Sequence, residues 1–312
     1  MKSYRVDITP GAAWGAPLHA DTLFGHLCWA LIYTRGESAL HDFLVAFDGT
    51  HAPIVISNGF PKGFLPRPLL TPSTSTSAVK TPTDLKKLKR VALLSEDWLL
   101  KAREKLSEDS ISAALTDDTQ SIGNDDPWEE ELQYHNTIDR WTNSVRAEGG
   151  FYQSTAFHLR GSELSVYVKN DYFSKTELEQ LLDFVAKGGF GPDKSAGLGA
   201  FAFTLSDYEF PRLNGANAFI ALSNFVPAPN DPVVGWYDIM TKFGKLGGDF
   251  AVGPSGPGEK HNPFKKPLIM LRSGSVFRDE SVREWYGTLV PNVHSNSAIR
   301  HYGIGYPLEV RL

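Results

Sequence analysis

A chain of 312 residues, 41% hydrophobic and 21% charged, is long enough for a sizeable core and too apolar for general disorder. Its net charge of −5 argues against a uniformly basic nucleic-acid binder, and its single cysteine, Cys28, rules out an internal disulfide. Within "LFGHLCWAL" that cysteine reads as core filler in a reducing compartment, not as a nucleophile. No apolar run reaches the length of a membrane span and the N-terminus has no signal-peptide pattern, so a soluble, cytoplasmic protein with no membrane partner is expected.

In chain order, "YRVDITP" predicts a strand and "ADTLFGHLCWALIYTRG" a helix, with Asp21 as its N-cap and Gly36 as its stop. "APIVIS" predicts a second strand. An insertion at about 60–148 follows, opening with a stretch rich in Pro, Ser and Thr. Within it "DLKKLKRVALLSEDWLLKAREKL" has the composition of a helix. The charge divides sharply here. Residues 60–104 hold nine basic and four acidic side chains, whereas 105–148 hold three and eleven. Such a division suits a surface that holds phosphates beside one that repels them, or a solvated insertion.

Alternation resumes in "GGFYQSTAFHLRGSELSVYVKND", two strands joined at Arg160-Gly161-Ser162. In "SKTELEQLLDFVAKGG", Ser174 and Glu177 form a capping box, and Leu178, Leu181, Leu182 and Val185 recur at helical spacing. "GAFAFTL" alternates as a strand. Apart from the insertion, the order is that of a split β-α-β unit with one extra strand or hairpin, over residues 1–206. Residues 207–312 read as strand-rich, closing on "YGIGYPLEVRL" with strict alternation.

Between the last helix and strand of the first unit lies "GGFGPDKSAGLGAF". A P-loop would need glycine where Asp193 precedes Lys194-Ser195, and a dinucleotide fingerprint would follow a strand and open a helix. Neither fits. A helix C-cap and a turn account for one or two glycines, not for Gly189, Gly191, Gly197 and Gly199 together. Backbone amides there could form an anion-binding nest, with Lys194 supplying charge and Ser195 a donor. "LPRPLL" adds Arg67, and "HNTIDRWTNSVRAEGGFY" adds His135, Asn136, Arg140, Trp141 and Arg146, planes and charges that suit splayed RNA bases and phosphates. No cysteine pair, H-E-x-x-H or G-x-S-x-G occurs, and no metal or cofactor is expected. His19 and His158 could face the glycine loop across the sheet and do acid–base work there, and His19 is also a candidate RNA contact. Asp21 could serve a metal, but its capping role already accounts for it.

The glycine loop resembles that of the RAMP superfamily, the RNA-recognition-like subunits of CRISPR effector complexes. "HADTLFGHLCWAL", "ISNGFPKGFLPRPLL", "HNTIDRWTNSV", "LRSGSVF" and "YGIGYPLEVRL" narrow the resemblance to one branch, subunit four of the type III-A (Csm) complexes. It spans nearly the whole chain and is poorest over 73–130. The resemblance implies an α+β fold of two ferredoxin-like (RRM-like) RAMP domains, 1–206 and 207–312, the first with the long insertion and the glycine-rich loop. It also implies a non-catalytic subunit that holds the 5′ repeat-derived handle of the crRNA and contacts the large polymerase-like subunit and a backbone RAMP subunit, meeting target RNA only indirectly. Gly189, Gly191, Lys194, Ser195, Gly197 and Gly199 would form the handle-binding loop, and Arg140 and Arg146 would border an insertion projecting over the RNA. Lys260, Lys265 and Lys266, in "GDFAVGPSGPGEKHNPFKKP", suit RNA or a neighbouring subunit. The residues alone also admit an endoribonuclease with His19 or His158 as general acid or base, and a purely protein-bridging subunit.

Overall fold

The computed structural model describes residues 1–47, 49–71, 91–116, 127–146, 148, 150–161, 163–251 and 262–312. Lys260 and Ser162 lie outside them. The chain opens with β1 (Lys2–Pro10), α1 (Ala20–Arg35) and α2 (Glu37–Val45), followed by the short strands β2 (Ile54–Ile56), β3 (Phe60–Pro61), β4 (Phe64–Pro66) and β5 (Leu93–Ser95). Next come α3 (Glu96–Ala102), α4 (Glu108–Thr116), β6 (Trp128–Asn136), β7 (Ile138–Asp139), β8 (Ser144–Val145) and β9 (Phe151–Leu159). β10 (Leu164–Asn170), α5 (Lys175–Gly188) and β11 (Phe201–Asp207) complete the first part. The remainder is β12 (Ala218–Ala221), β13 (Gly235–Trp236), β14 (Ile239–Lys242), β15 (Leu268–Leu271), β16 (Val276–Arg278), β17 (Tyr286–Val290), β18 (His301–Gly305) and β19 (Pro307–Val310).

The result is a mixed α/β fold built on antiparallel sheets. The first has the order β11-β1-β10-β2, with β3 on β10. Among its four main strands taken in chain order, that is 4-1-3-2. Alternation decides which face is inside: Tyr4, Val6 and Ile8 are buried opposite Val168, Val166 and Leu164. α5 forms where expected, its capping box intact: Glu177 N donates to Ser174 Oγ at 3.3 Å and Ser174 N to Glu177 Oε2 at 2.8 Å. Its apolar stripe, Leu178, Leu181, Leu182 and Val185, is buried.

The second sheet, β13-β16-β12-β19, belongs to residues 218–310, and no α-helix occurs in that stretch among the described residues. One continuous core runs through both halves, joining Val6, Leu23 and Val166 to Ile220, Tyr302 and Leu308. Tyr302 shows how. Its hydroxyl accepts from Ile56 N at 2.9 Å and donates to Ile54 O at 3.2 Å, satisfying the free edge of β2, while its ring stacks on Phe24 at 4.5 Å.

Three local expectations change. Asp21 does not cap α1: the N-cap position is His19, without a side-chain cap bond, and the Asp21 carboxylate turns inward to Lys242 at 2.9 Å. Gly36 does stop the helix, at φ +86°, but α2 starts straight after it. Of the segment read as one helix, 84–90 lies outside the described residues, and Leu93–Ser95 is a strand paired with β4, because burial of that apolar run against β4 outweighs its helical propensity. The two strands flanking Arg160 do not pair with each other either. β10 joins the first sheet, whereas β9 pairs along its full length with β6 from the insertion.

Candidate nucleic-acid interface

The glycine loop is shaped by backbone contact. Gly189, Gly191, Gly197 and Gly199 all have positive φ, between +80° and +92°. A Cβ on Gly199 would lie 2.0 Å from the Phe190 carbonyl oxygen, and Phe190 N donates to Gly199 O at 2.8 Å, so the two ends of the loop are pressed together. Gly197 has only open space around it. The amide of Gly199 donates to Ala13 O, and that of Gly191 donates to His26 Nε2 at 2.8 Å. Ala196 and Gly197 bond back to Asp193 and Lys194. These four amides are thus committed within the protein, two to the loop itself and two to His26 and Ala13 outside it. What the loop offers outward is Lys194 and Ser195, both exposed. Lys194 has no ion pair among the described residues.

Two residues outside the sequence expectations fix the loop. His26, one face of α1, must be neutral to accept from Gly191. Burial, with the nearby Lys194 ammonium second, holds its pKa down at about 4. Trp14 is wholly buried and meets Phe190 at 4.9 Å, Phe201 at 5.7 Å and Trp128 at 5.8 Å. It also pairs with Phe157, exchanging backbone bonds of 2.9 and 2.7 Å. Loop and β6–β9 ribbon thus share one root.

That ribbon holds most of the remaining candidates. Nine residues per strand give a reach of about 30 Å. One face begins in the core with Trp128 and Phe157 and continues into solvent as Leu132, Tyr134 and Phe151, which are 53%, 63% and 67% exposed. The other face carries Glu129, Glu131, His135 and His158. Glu130, Asn136, Gln153 and Thr155 share this face, so apolar side chains stand in solvent among polar ones, a pattern that suits a contact surface. His135 bonds Ser154 at 2.8 Å and stacks on Tyr152; Asn136 lies exposed at the strand end. At the tip Trp141 is 98% exposed, its amide held by Asp139 Oδ1 at 2.8 Å, with Arg140 beside it and Arg146 3.6 Å from Asp139.

The other candidates are placed elsewhere. Arg67 is bound in an ion pair to the buried Glu108 carboxylate. His158 is the exception and stays on the ribbon, paired with Glu131 at 2.9 Å. His19 is half-buried, and burial together with Lys242 brings its pKa to about 4. Lys265 bonds Arg300 O at 2.9 Å, and Lys266 is exposed. Cys28 packs against the core, its thiol pushed up to about 12 by burial. Among the described residues no group of histidine, cysteine and carboxylate side chains is placed to hold a metal, and no helix is long and apolar enough to cross a membrane.

Neither a protein-family model nor a curated protein matches the sequence. Solved structures do match. One is a Csm1–Csm4 cassette in complex with AMPPNP, 18% identical with a TM-score of 0.60, covering 100% of this chain and 99% of that one. Another is a Csm3–Csm4 subcomplex of the type III-A CRISPR-Cas interference complex, 13% identical with a TM-score of 0.58, covering 99% of each. A type III-B Cmr-β assembly bound to cognate target RNA follows at 16%, with a TM-score of 0.50 over 88% of this chain and 86% of that one. The fold is that of a Csm subunit. Csm4 is the name common to the first two assemblies, and the branch resemblance read from the sequence agrees with it at the level of fold.

Proposed function

We propose that this chain is a Csm4-like subunit of a type III-A effector complex that holds the 5′ handle of the crRNA, with no catalytic role of its own. The strand order 4-1-3-2, with α1 and α5 as the connecting helices, supports a ferredoxin-like first domain, and a second such domain over residues 207–312 is part of the proposal. The observation that carries the reading is the common root at Trp14. A loop carrying the exposed Lys194 and a ribbon ending in Trp141, Arg140 and Arg146 emerge from one point of the fold. A cation for phosphate and a bare indole for a splayed base are the two parts a single-stranded RNA site needs.

A large Csm1-like subunit and a Csm3-like backbone subunit are the protein partners this reading implies. Their sites are expected on apolar surface left open, including the outward side chains of Ile239, Phe243 and Ile269. Filter binding of repeat-derived RNA across a salt series tests the RNA role. A steep fall of affinity with salt supports phosphate contacts, and a flat response argues for a purely protein-bridging subunit.

A further inference from the structure

We propose that the two halves of the chain meet over a small anion, a phosphate or carboxylate group seated in a cleft lined by Arg103, Lys169, Glu284 and Tyr306. The inference is independent of the RNA reading and concerns another part of the molecule. Lys169 lies opposite Ser3, at the start of β1. The glycine loop meets the chain just past the other end of that strand, where Gly11 N donates to Ala200 O. The length of β1, about 25 Å, separates the two.

Arg103, which follows α3, carries the argument. It is 4% exposed, and a guanidinium buried that far ordinarily faces a carboxylate. This one faces carbonyls: one terminal nitrogen donates to Pro211 O and the other to Glu309 O at 3.5 Å. Its Nε is buried without a partner, and among the described residues Arg103 forms no ion pair. The carboxylates nearby are committed elsewhere. Glu309 accepts from the Leu213 amide at 2.6 Å, and Glu284 is shared by Lys169 at 3.0 Å and Arg212 at 2.8 Å. Glu309 and Glu104 are near enough to favour the charge on Arg103, yet burial outweighs them and draws its pKa below the ordinary arginine value.

Tyr306 supplies a second open donor. It is 2% exposed, and its hydroxyl has no hydrogen bond among the described residues. The cleft holds about 50 Å³, room for a few waters and so for one oxyanion group, but not for a nucleotide. Its walls come from every part of the chain that must stay together: Arg103 from the insertion, Lys169 from β10, Pro211 and Arg212 from the segment linking the halves, Glu284 and Tyr306 from the second half. An anion that accepts from Arg103 and Tyr306 neutralises the buried guanidinium and ties these walls to one another.

Thermal melting of the full chain tests this, with inorganic phosphate or acetate raised to about 10 mM while chloride holds the ionic strength constant, for the parent, Arg103→Met and Tyr306→Phe. The parent's Tm should rise by a few degrees with at least one of the two ions, as it does for any ligand bound only by the folded chain. Tyr306→Phe removes a single oxygen and should move the midpoint of that rise to a severalfold higher concentration. Arg103→Met should abolish the rise. A parent unmoved by both ions, or a rise that Tyr306→Phe and Arg103→Met retain in full, would overturn the site. RNA affinity, measured on the same proteins, should be unchanged in Tyr306→Phe, so that either reading can fail without the other.

Discussion

The amide of Gly191 donates to His26 Nε2 at 2.8 Å, so the glycine loop is held to α1 by an imidazole that has to stay uncharged. Protonation would turn the acceptor into a donor facing a donor. The ordinary pKa of 6.5 falls to about 4 in the fold, chiefly through burial. His19 and His301 are likewise drawn down to about 4, again by burial first.

A pH dependence follows. With folded pKa values below the unfolded ones, the unfolded chain binds more protons between about 4 and about 6.5, so stability is complete above that window and is lost as the pH falls through it. Each of these imidazoles should contribute on the order of 1–3 kcal/mol, and thermal melts from neutral pH downward should show Tm falling. His26→Gln, which can accept but does not titrate, should flatten the acid limb. A Tm constant across the window would refute the assignment.

Gly199 and Gly197 should separate in their sensitivity. Both have positive φ, but a Cβ on Gly199 would collide with the Phe190 backbone, while Gly197 faces open space. Gly197→Ala should cost about 1 kcal/mol, the ordinary penalty of the left-handed region. Gly199→Ala should cost about 3 kcal/mol or more, because the loop ends must part. Urea unfolding of the two variants checks the order.

Trp141 should matter for binding and not for stability. At 98% exposure its removal leaves no cavity, so Trp141→Ala should unfold within about 0.5 kcal/mol of the parent. Loss of one stacking plane should weaken RNA binding by about 1–3 kcal/mol. Equal RNA affinity in the variant would remove the ribbon tip from the interface.

Arg67 should behave in the opposite way. Its guanidinium neutralises Glu108, whose carboxyl is already pushed upward by burial, and the pair lies beneath the surface. Arg67→Ala strands that carboxylate and should cost about 2–4 kcal/mol of stability, with RNA affinity unchanged once the protein is folded.

These contrasts show what the sequence carries. The α5 capping box, the β1 alternation and the position of the glycine loop were legible because each is a local pattern of a few residues. What the glycines do was not: Gly199 answers to Phe190 across the loop, and only the closed turn reveals the contact. Asp21 looked like a cap because a local role was available, whereas its partner, Lys242, comes from the other half of the chain. Trp14 lies in no motif, and His26, though inside "HADTLFGHLCWAL", gives no local sign of its role. Their roles come from packing, a neutral nitrogen under Gly191 and a ring shared by loop and ribbon. The β6–β9 pairing was hidden by the acidic run Glu129–Glu131, which reads as loop when no core contact shows that the ribbon projects into solvent.

The central claim is that the 189–199 loop and the β6–β9 ribbon hold a short RNA by one shared root. Ultraviolet crosslinking of the tagged chain in its host, followed by mass spectrometry of RNA-bearing peptides, tests this most directly. The account predicts crosslinked peptides containing Lys194 or Trp141, joined to RNAs with a common 5′ end. Crosslinks confined to other surfaces, or a chain recovered without RNA, would contradict it.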